Sequence, residues 1–156
     1  MPVSGQTNNI EEQQIEEAEM QDVFVSAIAE LNGYSVQGAG FGFGLAAGAG
    51  TGAAVGMKLL YSLSLSENLQ SFELDVFLRF YILGRGANTG PFIQANAGAV
   101  AYFPANADTP SDQGSFTYSL SAGWRFLLGD RWFIEPYLRG GAPFVMGAGA
   151  YAGIRF

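Results

Sequence analysis

From Val23 to the end of the chain, apolar residues recur at every second position, and no other feature restricts the possible folds as strongly. Successive side chains on a strand point to opposite faces, so this period marks strands whose two faces meet different surroundings. Ser115–Leu128 is the clearest stretch. Phe116, Tyr118, Leu120, Ala122, Trp124, Phe126 and Leu128 share one face there, and Thr117, Ser119, Ser121, Gly123 and Arg125 share the other. Gln70–Leu83 sets Phe72, Leu74, Val76, Leu78, Phe80 and Ile82 against Ser71, Glu73, Asp75, Phe77, Arg79 and Tyr81. Ala53–Leu65 sets Val55, Met57, Leu59, Tyr61, Leu63 and Leu65 against Lys58, Ser62 and Ser64. Val23–Leu31, Tyr34–Ala47, Pro91–Phe103, Arg131–Gly140 and Val145–Phe156 complete a set of eight, with Asn32-Gly33 read as the hairpin between the first two.

Composition decides what surrounds the apolar face. Only 13% of residues are charged, against about 25% in soluble domains, while 22 are aromatic and 22 are glycine. A soluble eight-stranded barrel turns its apolar face inward and needs charge outside. Here the polar parity carries about nine charges of mixed sign over eight strands: Glu30, Lys58, Glu73, Asp75, Arg79, Arg125, Glu135, Arg139 and Arg155. That is a poor solvent shell and a reasonable salt-bridged interior, because a buried ion needs a partner. The predicted fold is all-β, an antiparallel up-and-down eight-stranded transmembrane β-barrel over residues 23–156 with lipid outside and charge inside. Gly38–Met57 is a charge-free stretch of bilayer-spanning length, but eight of its residues are glycine and its flanks keep period two, which argues against a membrane helix.

Residues 1–22 form a polar, acidic arm, read as a short helix or a disordered segment. Six of the 14 acids lie there: Glu11, Glu12, Glu16, Glu17, Glu19 and Asp22. The remainder holds eight acids against seven bases, so the net charge of -7 belongs to the arm, and no basic cluster points to nucleic acid. The arm has no Lys, Arg or apolar run and does not read as a secretory signal, so an exported protein is expected to have this as its mature sequence. Gly48–Gly52, Gly84–Gly90 and Gly129-Asp130 read as short turns on one rim, shared with both chain ends, and Pro104–Gly114 as a longer loop on the other.

The ending Ala150-Tyr-Ala-Gly-Ile-Arg-Phe156 resembles the terminal strand of small bacterial outer-membrane barrels of the OmpA, OmpX and OmpW type, and Trp132-Phe-Ile-Glu-Pro-Tyr-Leu-Arg139 resembles their penultimate strand. The resemblance implies an outer-membrane location and recognition of the last strand by the barrel-assembly machinery. Ile154 and Phe156 would take the outward positions of that signal, with Tyr151 facing the other way.

Motifs for chemistry are sparse. The chain has no Cys and no His, so thiolate metal sites and the commonest general base are both missing, and Ser119 and Ser121 read as polar interior residues rather than nucleophiles. Glu73 and Asp75 have the spacing of paired carboxylates or a hard-cation site, but Arg79 on the same face and Lys58 on the neighbouring strand make ion pairing the better reading. Arg125 and Glu135 become cross-strand neighbours if the intervening loop has three residues, Gly129–Arg131. Gly48–Ala53 matches a loose dinucleotide fingerprint but leads into a strand, and Asp108 and Asp112 alone do not make a calcium loop.

No enzyme activity and no cofactor are expected. Eight strands enclose a space that side chains can fill, and Phe77, Tyr81, Tyr102, Phe133, Tyr137 and Tyr151 are expected to interdigitate there with Gly38, Gly40, Gly42, Gly44 and Gly98. The leading expectation is a non-enzymatic anchor, structural element or surface-contact protein acting through loops such as Pro104–Gly114. A narrow conduit for small or hydrophobic solutes, which the OmpW likeness implies, and a soluble ligand-binding barrel are the alternatives.

Overall fold

The computed structural model describes residues 22–34, 38–65, 69–83, 88–104 and 113–156. Eight strands follow one another: β1 (Val23–Tyr34), β2 (Gly38–Ala49), β3 (Ala53–Ser64), β4 (Leu69–Tyr81), β5 (Gly90–Pro104), β6 (Gln113–Leu128), β7 (Trp132–Ala142) and β8 (Phe144–Arg155). Each pairs antiparallel with its chain neighbours, and β8 returns to β1 to close the barrel. Closure leaves no unpaired strand edge, the condition a sheet must meet to stand in hydrocarbon.

The register sets the shape. Asn32 pairs with Gly147, and the line of partners continues through Arg139, Ser121, Gln94, Arg79 and Ala54. At the end of that line the Gly50 amide donates to the carbonyl of Asp22, ten residues before the start. A stagger of that size over eight strands tilts them by about 40° and leaves room only for side chains.

Two rims result. Asp22, Phe156 and the connections 50–52, 82–89 and 129–131 share the terminus rim, and 35–37, 65–68, 105–112 and Pro143 share the loop rim. The expected division into short turns and longer loops does not hold. Residues 82–89 and 105–112 are equally long, and β7 and β8 are joined by Pro143 alone. The Asn32-Gly33 hairpin is also corrected. Asn32 pairs with Gly40 and Gly33 with Ala39 inside the ladder, and Asn32 turns inward to donate from Nδ2 to Ser62 Oγ at 3.0 Å. Continued backbone pairing outweighs the local turn preference of the dipeptide. The three-residue β6–β7 loop is present: Leu128 pairs with Trp132, Gly129 has φ 74°, and the pairs Gly123↔Tyr137 and Phe126↔Ile134 bracket Arg125 and Glu135.

Burial follows the alternation read from the sequence. Among the described residues, no charged side chain lies on the outward parity of any strand, and that wall instead exposes large apolar groups. Aromatic residues gather toward its two ends. Phe43, Tyr61 and Phe72 are consecutive partners near the loop rim, and Trp124, Phe126 and Trp132 lie near the terminus rim. Leu45, Met57, Val76, Ala97 and Leu120 occupy the waist between them. Aromatic girdles around an aliphatic band are the outer surface of a transmembrane barrel.

Candidate functional site: the lumen

The inward parity brings eight of the nine charged residues named from the sequence into the lumen, all but Arg155, each no more than 4% exposed. They form two groups, one toward each rim.

On the terminus side, Arg79 of β4 reaches across to β7 and donates from Nη1 to both oxygens of Glu135, at 2.8 and 2.7 Å, while its Nε donates to Gln94 Oε1 at 2.7 Å. Arg125 of β6 donates from Nε to the same Glu135 carboxylate. Two guanidinium groups therefore share one acid. Around them stand aromatic faces: Arg79 Cζ is 4.4 Å from the centre of the Phe92 ring, 5.1 Å from Tyr151 and 5.4 Å from both Phe24 and Phe77. Arg125 Cζ lies 4.1 Å from Phe133 and 4.8 Å from Phe24. Ring faces attract cations within about 6 Å, so the cage offsets part of the cost of burying the second positive charge.

The rings fit because glycines face them. Phe24 pairs with Gly48, Phe77 with Gly56, Phe92 with Gly123, Phe133 with Gly153 and Tyr137 with Gly149. A Cβ on Gly48 would meet Phe24 Cζ at 2.7 Å, one on Gly123 would meet Phe92 Cζ at 2.6 Å, and those on Gly56 and Gly153 would strike the rings of Phe77 and Phe133. The expected principle of large residues over glycine holds, but with other glycines. Gly40 and Gly42 make room for Asn32 and Ser62, Gly44 for the β3 backbone, and Gly98 for Asp75; Gly38 is exposed. Tyr102 is only half-buried.

Toward the loop rim the charges are spread more evenly. Lys58 Nζ lies 2.5 Å from Glu73 Oε1 and 3.0 Å from Asp75 Oδ2. Arg139 spans the lumen to Glu73 at 2.7 Å and also holds Glu30 at 2.7 Å. Tyr137 donates to Glu30 at 2.5 Å and Thr117 to Asp75 at 2.5 Å. The acids Glu73 and Asp75 thus meet Lys58 as expected, whereas Arg79, on their own strand, turns to Glu135 instead. Beyond this layer Asn32, Ser62, Ser71 and Thr117 line the loop end with small polar groups. Arg155 is half-buried at the terminus rim, where its Nε donates to the Asp130 carbonyl at 2.9 Å.

Sequence reasoning did not name Phe24, Phe92 or Gln94 of this interior, although they share the inward parity of β1 and β5, and it missed two residues outside the alternating segments. Asn88, buried and at φ 41°, accepts from the Gly52 amide at 2.7 Å and donates to the Gly50 carbonyl at 2.7 Å and to Asp22 Oδ2 at 2.8 Å. Asp22, counted with the arm, stands at the lumen mouth with Oδ2 3.5 Å from Arg125 Nη1. Neither lies in an alternating segment, so neither carried a signal.

In the last strand Tyr151 faces the lumen, its ring 4.6 Å from that of Tyr137. Ile154 lies outward beside Trp132 and Val25, and Phe156 is exposed, with its amide donating to the Val23 carbonyl at 2.9 Å. Among the described residues no cluster of acids has the makings of a metal site.

A search of solved structures places this architecture. Neisserial surface protein A matches with a TM-score of 0.64 at 13% identity, over 86% of this chain and 95% of that one. The N-terminal β-barrel domain of Pseudomonas aeruginosa OprF matches at 0.61 and 15% identity, over 86% and 97%. The chain has the fold of the small outer-membrane barrels. A de novo designed barrel, TMB2.3, matches at 0.51 and 12% identity, over 88% and 98%. No protein-family model and no curated protein matches the chain. Together with an outer wall that bears no charge among the described residues, the fold makes this a transmembrane β-barrel and leaves the soluble-barrel reading without a water-facing surface.

Proposed function

We propose that the protein is a non-enzymatic integral protein of the bacterial outer membrane that acts as an anchor, structural element or surface contact, not as a diffusion pore. One observation carries this reading: the lumen is crossed twice between β4 and β7, by Arg79–Glu135 and by Glu73–Arg139, with aromatic rings packed around the first crossing. Such a plug leaves rigidity and an outward apolar surface as what the barrel offers a membrane. The last strand, with Ile154 and Phe156 outward and Tyr151 inward, serves as the signal to the assembly machinery. Surface contact through Pro104–Gly114 rests largely on residues 105–112, which lie outside the described residues, as does the arm over residues 1–21.

Two experiments test the reading. Refolded into detergent, the full chain should migrate faster on gels when unheated than after boiling, and solubility without detergent would overturn the membrane placement. In planar bilayers the intact chain should give no reproducible single-channel openings; regular openings would favour the narrow conduit.

A further inference from the structure

The terminus-side group is not neutral by itself: Arg79 and Arg125 share Glu135, which leaves one positive charge in a fully buried setting. Asp22 is the acid that compensates it, and it does so imperfectly. Its Oδ2 stands 3.5 Å from Arg125 Nη1, longer than the roughly 2.7–2.9 Å of a charge-assisted hydrogen bond. Arg125 Nη2 has no hydrogen-bond partner among the described residues, although Arg125 is 0% exposed. A second donor converges on the same carboxylate, since Asn88 Nδ2 donates to Asp22 Oδ2 at 2.8 Å. Asp22 is tied to its place by the backbone, whose carbonyl accepts from the Gly50 amide at 3.2 Å. That tether holds the carboxylate short of the guanidinium edge. Asp22 is itself partly open to the terminus rim, with 14% of its side chain exposed.

We propose that the terminus-side mouth of the lumen is a carboxylate-binding site, built from the outer edge of Arg125 and the Asn88 amide, in which Asp22 is the resident occupant. Neither Nη of Arg125 makes a hydrogen bond among the described residues, and the planar edge they form matches the two oxygens of a carboxylate. A free carboxylate of formate or acetate size, not restrained by β1, reaches both nitrogens where Asp22 reaches one. The site depends on the closed barrel and not on which membrane holds it.

The test uses the full chain refolded in detergent and formate as the probe. Asp22→Ala empties the site. Its heat-unfolding midpoint is expected to fall below that of the parent and to be raised saturably by sodium formate, but not by sodium perchlorate at equal ionic strength. The double variant Asp22→Ala/Arg125→Gln keeps Arg79 and Glu135 balanced and should show no formate response. If Asp22→Ala does not refold unaided, refolding yield becomes the readout, and recovery by formate supports the site. An Asp22→Ala chain that ignores formate, or a response that survives loss of Arg125, overturns the proposal, as does failure of formate to restore refolding.

Discussion

The two ends of the lumen solve the same problem in different ways. Both hold charges buried beyond the reach of bulk water, where an unpaired ion is costly. Toward the loop rim, Lys58 and Arg139 are divided among Glu30, Glu73 and Asp75, so each cation touches two acids and the loss of one leaves another. Toward the terminus rim, Arg79 and Arg125 depend on Glu135, and the remaining stabilisation comes from ring faces and from Asp22 at the mouth. The lesson is that a distributed network tolerates deletion, whereas a shared one concentrates its cost in a single residue.

That contrast can be broken by mutation. Glu135→Ala should have the largest effect, destabilising by about 3–5 kcal/mol, because it strands two buried guanidinium groups. Urea unfolding in lipid vesicles would measure it. Glu73→Ala, in the distributed network, should cost only about 1.5–3 kcal/mol, since Lys58 keeps Asp75 and Arg139 keeps Glu30. Equal losses at the two positions would abolish the distinction.

Glycine substitutions sharpen it further. Gly56→Ala drives a methyl into the Phe77 ring and the Ala47 carbonyl, a collision with backbone that should cost about 1–3 kcal/mol by the same assay. Gly42→Ala at the loop end meets Ser62 Oγ at 2.7 Å and Asn32 Nδ2 at 3.3 Å, the movable ends of side chains, and should cost about 0.5–1 kcal/mol. A loop-end glycine as sensitive as Gly56 would mean that both halves are packed alike.

How much of this was legible in the sequence differs between the wall and its contents. The outward set on β4 and β6 and the inward placement of Arg79, Arg125 and Glu135 all follow from alternation, which is a local property of the chain. The Arg125–Glu135 pairing was also legible, because a hairpin makes the two strands neighbours and parity requires either a three-residue loop or a bulge. The Arg79–Glu135 and Arg139–Glu73 bridges were not legible. They join strands three apart and depend on lumen diameter and stagger, which no single hairpin sets.

By itself, then, the sequence determined which face of the clearly alternating strands meets lipid and which charged residues fill the interior, since a period of two and a scarcity of charge are properties of neighbouring residues. The tertiary structure decided which acid each cation holds, which glycine lies under each ring, and that Asp22 and Asn88 close the terminus mouth. Those contacts come from closing eight tilted strands into one ring, where residues far apart in the chain arrive at the same height.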